Sequence, residues 1–230
     1  MTWLRGHWQL LGLIALVVAL WPTPVIVPLK VLVVFFHELS HALAAWLSGG
    51  EVVSISVNAD EGGVTWTRGG NRFAILTAGY IGSLVLGVVL FLAALRTRFD
   101  RAIIAGLGLA LLAVAGIYMR DLFALAFTGV AGVMMLAIAR YLPHQASDLA
   151  LRLIGLTSMI YVPADIFSDT LARSDLPSDA RMLAEYLGGG TMLWGAVWLV
   201  LSLGVIALSL RYGLGRHSNL ELSRADGDES

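Results

Sequence analysis

Two histidines four residues apart with an acid between them, His37-Glu38-Leu39-Ser40-His41, stand near the end of a long apolar run. Residues four apart share a helical face, so both imidazoles can reach one metal ion. Glu38 is turned about 100° from His37 and about 60° from His41 on a helix of 3.6 residues per turn, which sets it beside such an ion rather than on it. A carboxylate there can take a proton from water and pass it to a leaving amine. The chain has no Cys, so any metal must be held by His and carboxylate groups. Ionisable groups are costly inside a bilayer, so this trio in an apolar helix points to a site, with an ion path or a proton relay as the competing uses.

Two imidazoles leave a catalytic zinc one protein ligand short. Asp165 is the first candidate. It follows Tyr161-Val162-Pro163-Ala164 at the end of an apolar run, where Pro163 would break the helix and free backbone groups around a cavity. Asp169, one turn later on the same face, is the second, as ligand or as a partner orienting an imidazole. Asp121 is the third, although beside Arg120 it reads better as half of an interfacial ion pair. Asp179 reads as the first turn of a helix capped by Ser178. His7, His144 and His217 read as solvated or interfacial.

The elements that must position these groups are membrane helices. Of 230 residues, 58% are hydrophobic and only 13% charged, with a net charge of −1; mean hydropathy is +0.80. Soluble domains are about 25% charged, so disordered chains, nucleic-acid binders and ordinary soluble enzymes are excluded. Spanning helices need roughly 20 apolar residues. Such runs lie near Trp8–Trp21, Val25–Leu47, Phe73–Leu95, Ala102–Tyr118, Leu122–Tyr141, Leu149–Phe167 and Thr191–Leu210. The fold class is therefore an all-α polytopic membrane protein with six or seven transmembrane helices. The first run resembles a signal peptide but lacks a cleavage site, and reads as an uncleaved span.

Between the second and third runs, Val53, Ile55 and Val57 alternate with polar residues, as do Val64 and Trp66 after Asp60-Glu61-Gly62-Gly63. This predicts a β-hairpin over about 51–70, which is either a plain connector or an edge strand offered to an extended peptide. Ser168–Gly190 reads as a polar loop. One domain covers 1–215, and 216–230 reads as a disordered polar tail. Gly79, Ser83 and Gly87 form a small-residue stripe that suits close helix packing. The seven Trp residues fall mostly near span ends, as interfacial anchors do. Arginine distribution does not fix the orientation.

Phe36-His37-Glu38-Leu39-Ser40-His41-Ala42-Leu43-Ala44-Ala45, a short β segment and then Leu76-Thr77-Ala78-Gly79-Tyr80-Ile81-Gly82-Ser83 resemble the site-2 protease class of intramembrane zinc metalloproteases. More narrowly, they resemble a compact bacterial branch described as peptidase M-fifty-B-like. The resemblance runs from about Phe36 to Leu210. It implies His37 and His41 as Zn²⁺ ligands, Glu38 as general base, a transmembrane protein as substrate, and a bacterial cell membrane as location. Ala78-Gly79 matches a small-residue motif, but the Pro and Asn that usually follow are replaced by Tyr80-Ile81-Gly82-Ser83. The Asp-Gly motif that carries the third ligand in the wider class is absent from the spans; the chain's one Asp-Gly is Asp226-Gly227. The alternative is a non-catalytic or metal-ion-handling multi-pass protein on the same scaffold.

Overall fold

Local signals in the chain set the element ends. In a computed structural model describing residues 2–173, 177–215 and 218–219, the order is α1 (Thr2–Leu20), α2 (Val27–Leu47), β1 (Glu51–Val57), β2 (Gly63–Arg68), α3 (Arg72–Arg96), α4 (Asp100–Tyr118), α5 (Leu122–Tyr141), α6 (His144–Phe167), α7 (Asp179–Leu187) and α8 (Thr191–Gly213). Pro28 lies in the first turn of α2, where its missing N–H costs nothing. Asn71 caps α3 by accepting from Ala74 N at 3.0 Å. The tail assigned to 216–230 lies outside the described residues, apart from Ser218 and Asn219.

Six of these helices, α2, α3, α4, α5, α6 and α8, are long and apolar enough to cross a membrane; α1 is a shorter apolar helix. The chain is an all-α, multi-pass integral membrane protein with one hairpin.

The hairpin is antiparallel, with Ile55 opposite Thr65 and Ser56 opposite Val64. An irregularity between Val52 and Ser54 leaves Val53 unpaired and exposed, while Ile55 and Val57 enter the core. On β2 the apolar Val64 and Trp66 face outward and Thr65 faces inward. That is the reverse of a water-soluble sheet, and it suits a strand lying against membrane helices. Both strands pack on α2. The turn carries Glu61 at positive φ, and Glu61 pairs with Lys30 of α2 at 3.1 Å. Lys30 also sits 4.7 Å from the Trp21 ring centroid.

Helix α3 is central, packed between α2 and α6. Its small-residue stripe works along its whole length. A Cβ on Gly87 would meet Ser158 Cβ at 2.3 Å, and Ser158 Oγ donates to Ser83 O at 2.8 Å. From the facing helix, a Cβ on Gly155 would lie 2.6 Å from Phe91 Cβ and 2.7 Å from Gly87 O. Gly155→Ala is therefore expected to destabilise the bundle by roughly 1–3 kcal/mol through overpacking. The check is the thermal midpoint of helix loss in mild detergent, and an unchanged midpoint would contradict this contact.

Helix α6 departs from the sequence reading. Pro163 lies inside it and does not end it. The helix runs to Phe167 and continues as a π-helical turn, Ser168–Ala172, so the expected polar loop begins with helical structure. At the other end of α6, Arg152 pairs with Asp148 at 2.6 Å and donates to Ser218 O. His7 is buried rather than solvated, with Nδ1 2.7 Å from Ser218 Oγ. His144 is half-exposed and pairs with Asp100 at 3.0 Å, and His217 lies outside the described residues. Trp198 is likewise buried, its ring 5.2 Å from that of Tyr80, and so is no interfacial anchor.

Candidate metal centre

His37 and His41 project from one face of α2 with ring centroids 4.6 Å apart. The His41 Nδ1–H donates to Ile75 O at 2.6 Å, which leaves Nε2 as the nitrogen turned into the site. Tyr80 of α3 presents its ring edge-on to His37 at 4.7 Å. Gly79 sits at the closest approach: a Cβ there would lie 2.3 Å from His37 Nε2 and 2.6 Å from His41 Cε1. Only a glycine lets α3 come this near the two rings.

The carboxylate that meets them is Asp179. Its Oδ2 is 2.9 Å from His37 Nε2 and 3.1 Å from His41 Nε2. Ser178 caps α7 by accepting from Arg181 N, so the reading of a capped helix start holds. That same start carries the first-turn acid into the site. Burial alone would raise the Asp179 carboxyl; attraction to His41 and contacts with both imidazoles outweigh it and hold the carboxyl well below the usual carboxylate range.

Asp165, the expected third ligand, is not in this group. Because α6 continues through Pro163, Asp165 and Asp169 remain on one helical face and share Arg173 at the end of the π-helical turn. Arg173 Nη2 lies 3.9 Å from Asp165 Oδ1 and 2.8 Å from Asp169 Oδ1. Asp169 Oδ2 also accepts from the Tyr80 hydroxyl at 2.5 Å. Asp121 caps α5, accepting from Ala124 N at 2.8 Å, and Arg120 donates to the Ile117 and Met119 carbonyls instead of pairing with it.

Glu38 is buried beside the imidazoles. Its Oε2 accepts from Thr65 Oγ1 of β2 at 2.7 Å. One cavity of about 440 Å³ is lined by His37, Glu38, His41, Asp165, Asp169 and Asp179, with Gly62–Thr65 of the hairpin along one side. Sequence reasoning missed Thr65 and Tyr80 as members of this site. In the sequence Tyr80 stands only as a departure from a motif, and Thr65 only as the polar position between Val64 and Trp66.

Among the described residues, His37, His41 and Asp179 form the one group whose ligand atoms lie within 4.8 Å of one another and could hold a metal ion. Two imidazole nitrogens and one carboxylate oxygen, with a fourth direction open to a cavity, fit the donor set of a catalytic zinc site. Fold and site together define a multi-pass membrane protein with a buried His–His–Asp centre. The Peptidase M50B-like family model matches residues 10–209, and the chain belongs to that family. No curated protein and no solved structure matches it.

Proposed function

We propose that this protein is an intramembrane zinc metalloprotease that hydrolyses peptide bonds in or near transmembrane segments of other membrane proteins, in a bacterial cell membrane. The observation that carries the reading is Glu38. It lies in an apolar helix beside the His37–His41–Asp179 group and faces the same cavity. Membership of a peptidase family supports it. His37, His41 and Asp179 would hold the zinc. When bound, zinc polarises the scissile carbonyl and acidifies water. Glu38 accepts the proton of the attacking water on its carboxylate and returns it to the departing amide nitrogen. A transmembrane helix hides its amides, so the substrate unwinds before attack; the Gly63–Thr65 stretch of β2 beside the cavity gives the extended stretch a backbone to run along.

The test is cleavage of a single-span substrate in liposomes. Stripping metal with a chelator should lower the rate below about a hundredth, because carbonyl polarisation is worth several kcal/mol and each 1.4 kcal/mol is tenfold. Added Zn²⁺ should restore it. Full cleavage by protein shown to be metal-free would end the metalloprotease reading.

A further inference from the structure

We propose that Thr65 is a positioning residue: its hydroxyl fixes the carboxylate of Glu38 for proton transfer. The inference rests on the reading of Glu38 as general base. Residues 63 and 65 of β2 project from the same face of the strand, and both meet Glu38. At 63 the side chain is missing for a steric reason: a Cβ on Gly63 would lie 2.5 Å from Glu38 Oε1 and 2.7 Å from its Cγ. At 65 the strand supplies a hydroxyl instead, 2.7 Å from Oε2 and 2.9 Å from the Glu38 carbonyl oxygen. That carbonyl lies within α2 and belongs to the helix ladder, and a carboxylate is the stronger acceptor, so the single hydroxyl proton is used at Oε2. Among the described residues no hydrogen bond reaches Oε1, which stays free to take a proton.

The strand can hold this position because it is fixed on both sides of Thr65. Ile55, its cross-strand partner, is buried in the core, and the turn is tied to α2 through Glu61 and Lys30. A glutamate side chain has several rotatable bonds, and a base displaced by about 1 Å can lose about 100-fold in rate. The slot made by Gly63 and Thr65 removes that freedom. The hairpin is therefore part of the proton-transfer apparatus as well as a wall of the cavity.

The experiment compares Thr65→Val and Thr65→Ser in the full-length protein. Valine keeps the shape and loses the hydroxyl; serine keeps the hydroxyl. Thr65→Val is expected to lower kcat roughly 10- to 100-fold with KM and bound zinc unchanged, and Thr65→Ser to restore most of kcat. A second readout needs no activity. The Glu38 carboxylate stretch of metal-free protein, isolated as the infrared difference between wild type and Glu38→Gln, should shift in Thr65→Val and return in Thr65→Ser. An unmoved band overturns the proposal whatever the rates do, as do equal losses of kcat in both variants. If the wild type cleaves nothing, the protease reading fails, and the infrared band alone decides whether Thr65 holds the carboxylate.

Discussion

Glu38→Gln should lose about 10³-fold in cleavage while keeping its metal, the middle of the range that general acid–base catalysis contributes. The substitution isolates chemistry from structure. Glutamine has the same length, so it meets the close approach of Gly63 as the native side chain does. Its amide oxygen still accepts from the Thr65 hydroxyl, so the side chain keeps its place against β2. Glu38 lies outside the group of three ligand atoms, so zinc bound per protein should match wild type. What the amide cannot do is take a proton from water. The measurement is initial cleavage rate in liposomes beside metal analysis of the same preparation. A Gln variant that cleaves at the native rate would leave Glu38 as a buried polar residue and the protein without its proposed base. Loss of metal together with activity would instead make Glu38 part of the binding set.

The parts of the fold carried by local pattern were legible in the chain, because their physics is local. Apolar runs of spanning length appear as α2, α3, α4, α5, α6 and α8, and period-2 alternation around Asp60–Gly63 appears as the hairpin. The spacing of His37 and His41 guarantees a shared helical face wherever the helix goes. The remaining carboxylate was not legible, for a reason Asp179 makes plain. A serine cap followed by an acid is fully explained by helix-terminus physics, so nothing in Ser178-Asp179 signals a second use. Its second use depends on α6 passing through Pro163 and ending in a π-helical turn before α7 returns to pack on α3 and α8. Asp165 looked better on local grounds because a proline and an apolar run precede it. In the fold, the helix that carries it does not break there. Gly79 shows the same limit: the stripe was visible, but not that one glycine in it faces two imidazoles while another faces Ser158.

The contrast between Asp179 and Asp165 yields the second large effect. Asp179→Ala should lose bound zinc, with affinity at least about 100-fold weaker, since even orienting partners of ligands are worth 10- to 100-fold. Asp165→Ala should bind one zinc as the native protein does, because Asp165 lines the cavity but lies outside the group of three ligand atoms, its Oδ1 3.9 Å from Arg173 Nη2. Asp179→Asn separates charge from shape: it keeps an oxygen near both Nε2 atoms but removes the anion, so its affinity should fall between the other two. Without Asp179, His41 keeps its bond to Ile75 O, while His37 loses its carboxylate partner and is left facing the cavity, where water can bond it. The loss should therefore appear in metal content with the helical signal intact, and α7 should remain docked through its buried Ala180 and Leu183. Zinc analysis after dialysis, with thermal unfolding of the same samples, decides the matter. Retained zinc in Asp179→Ala with loss in Asp165→Ala would return the third ligand to α6 and require the two imidazoles to turn away from α7 when metal binds.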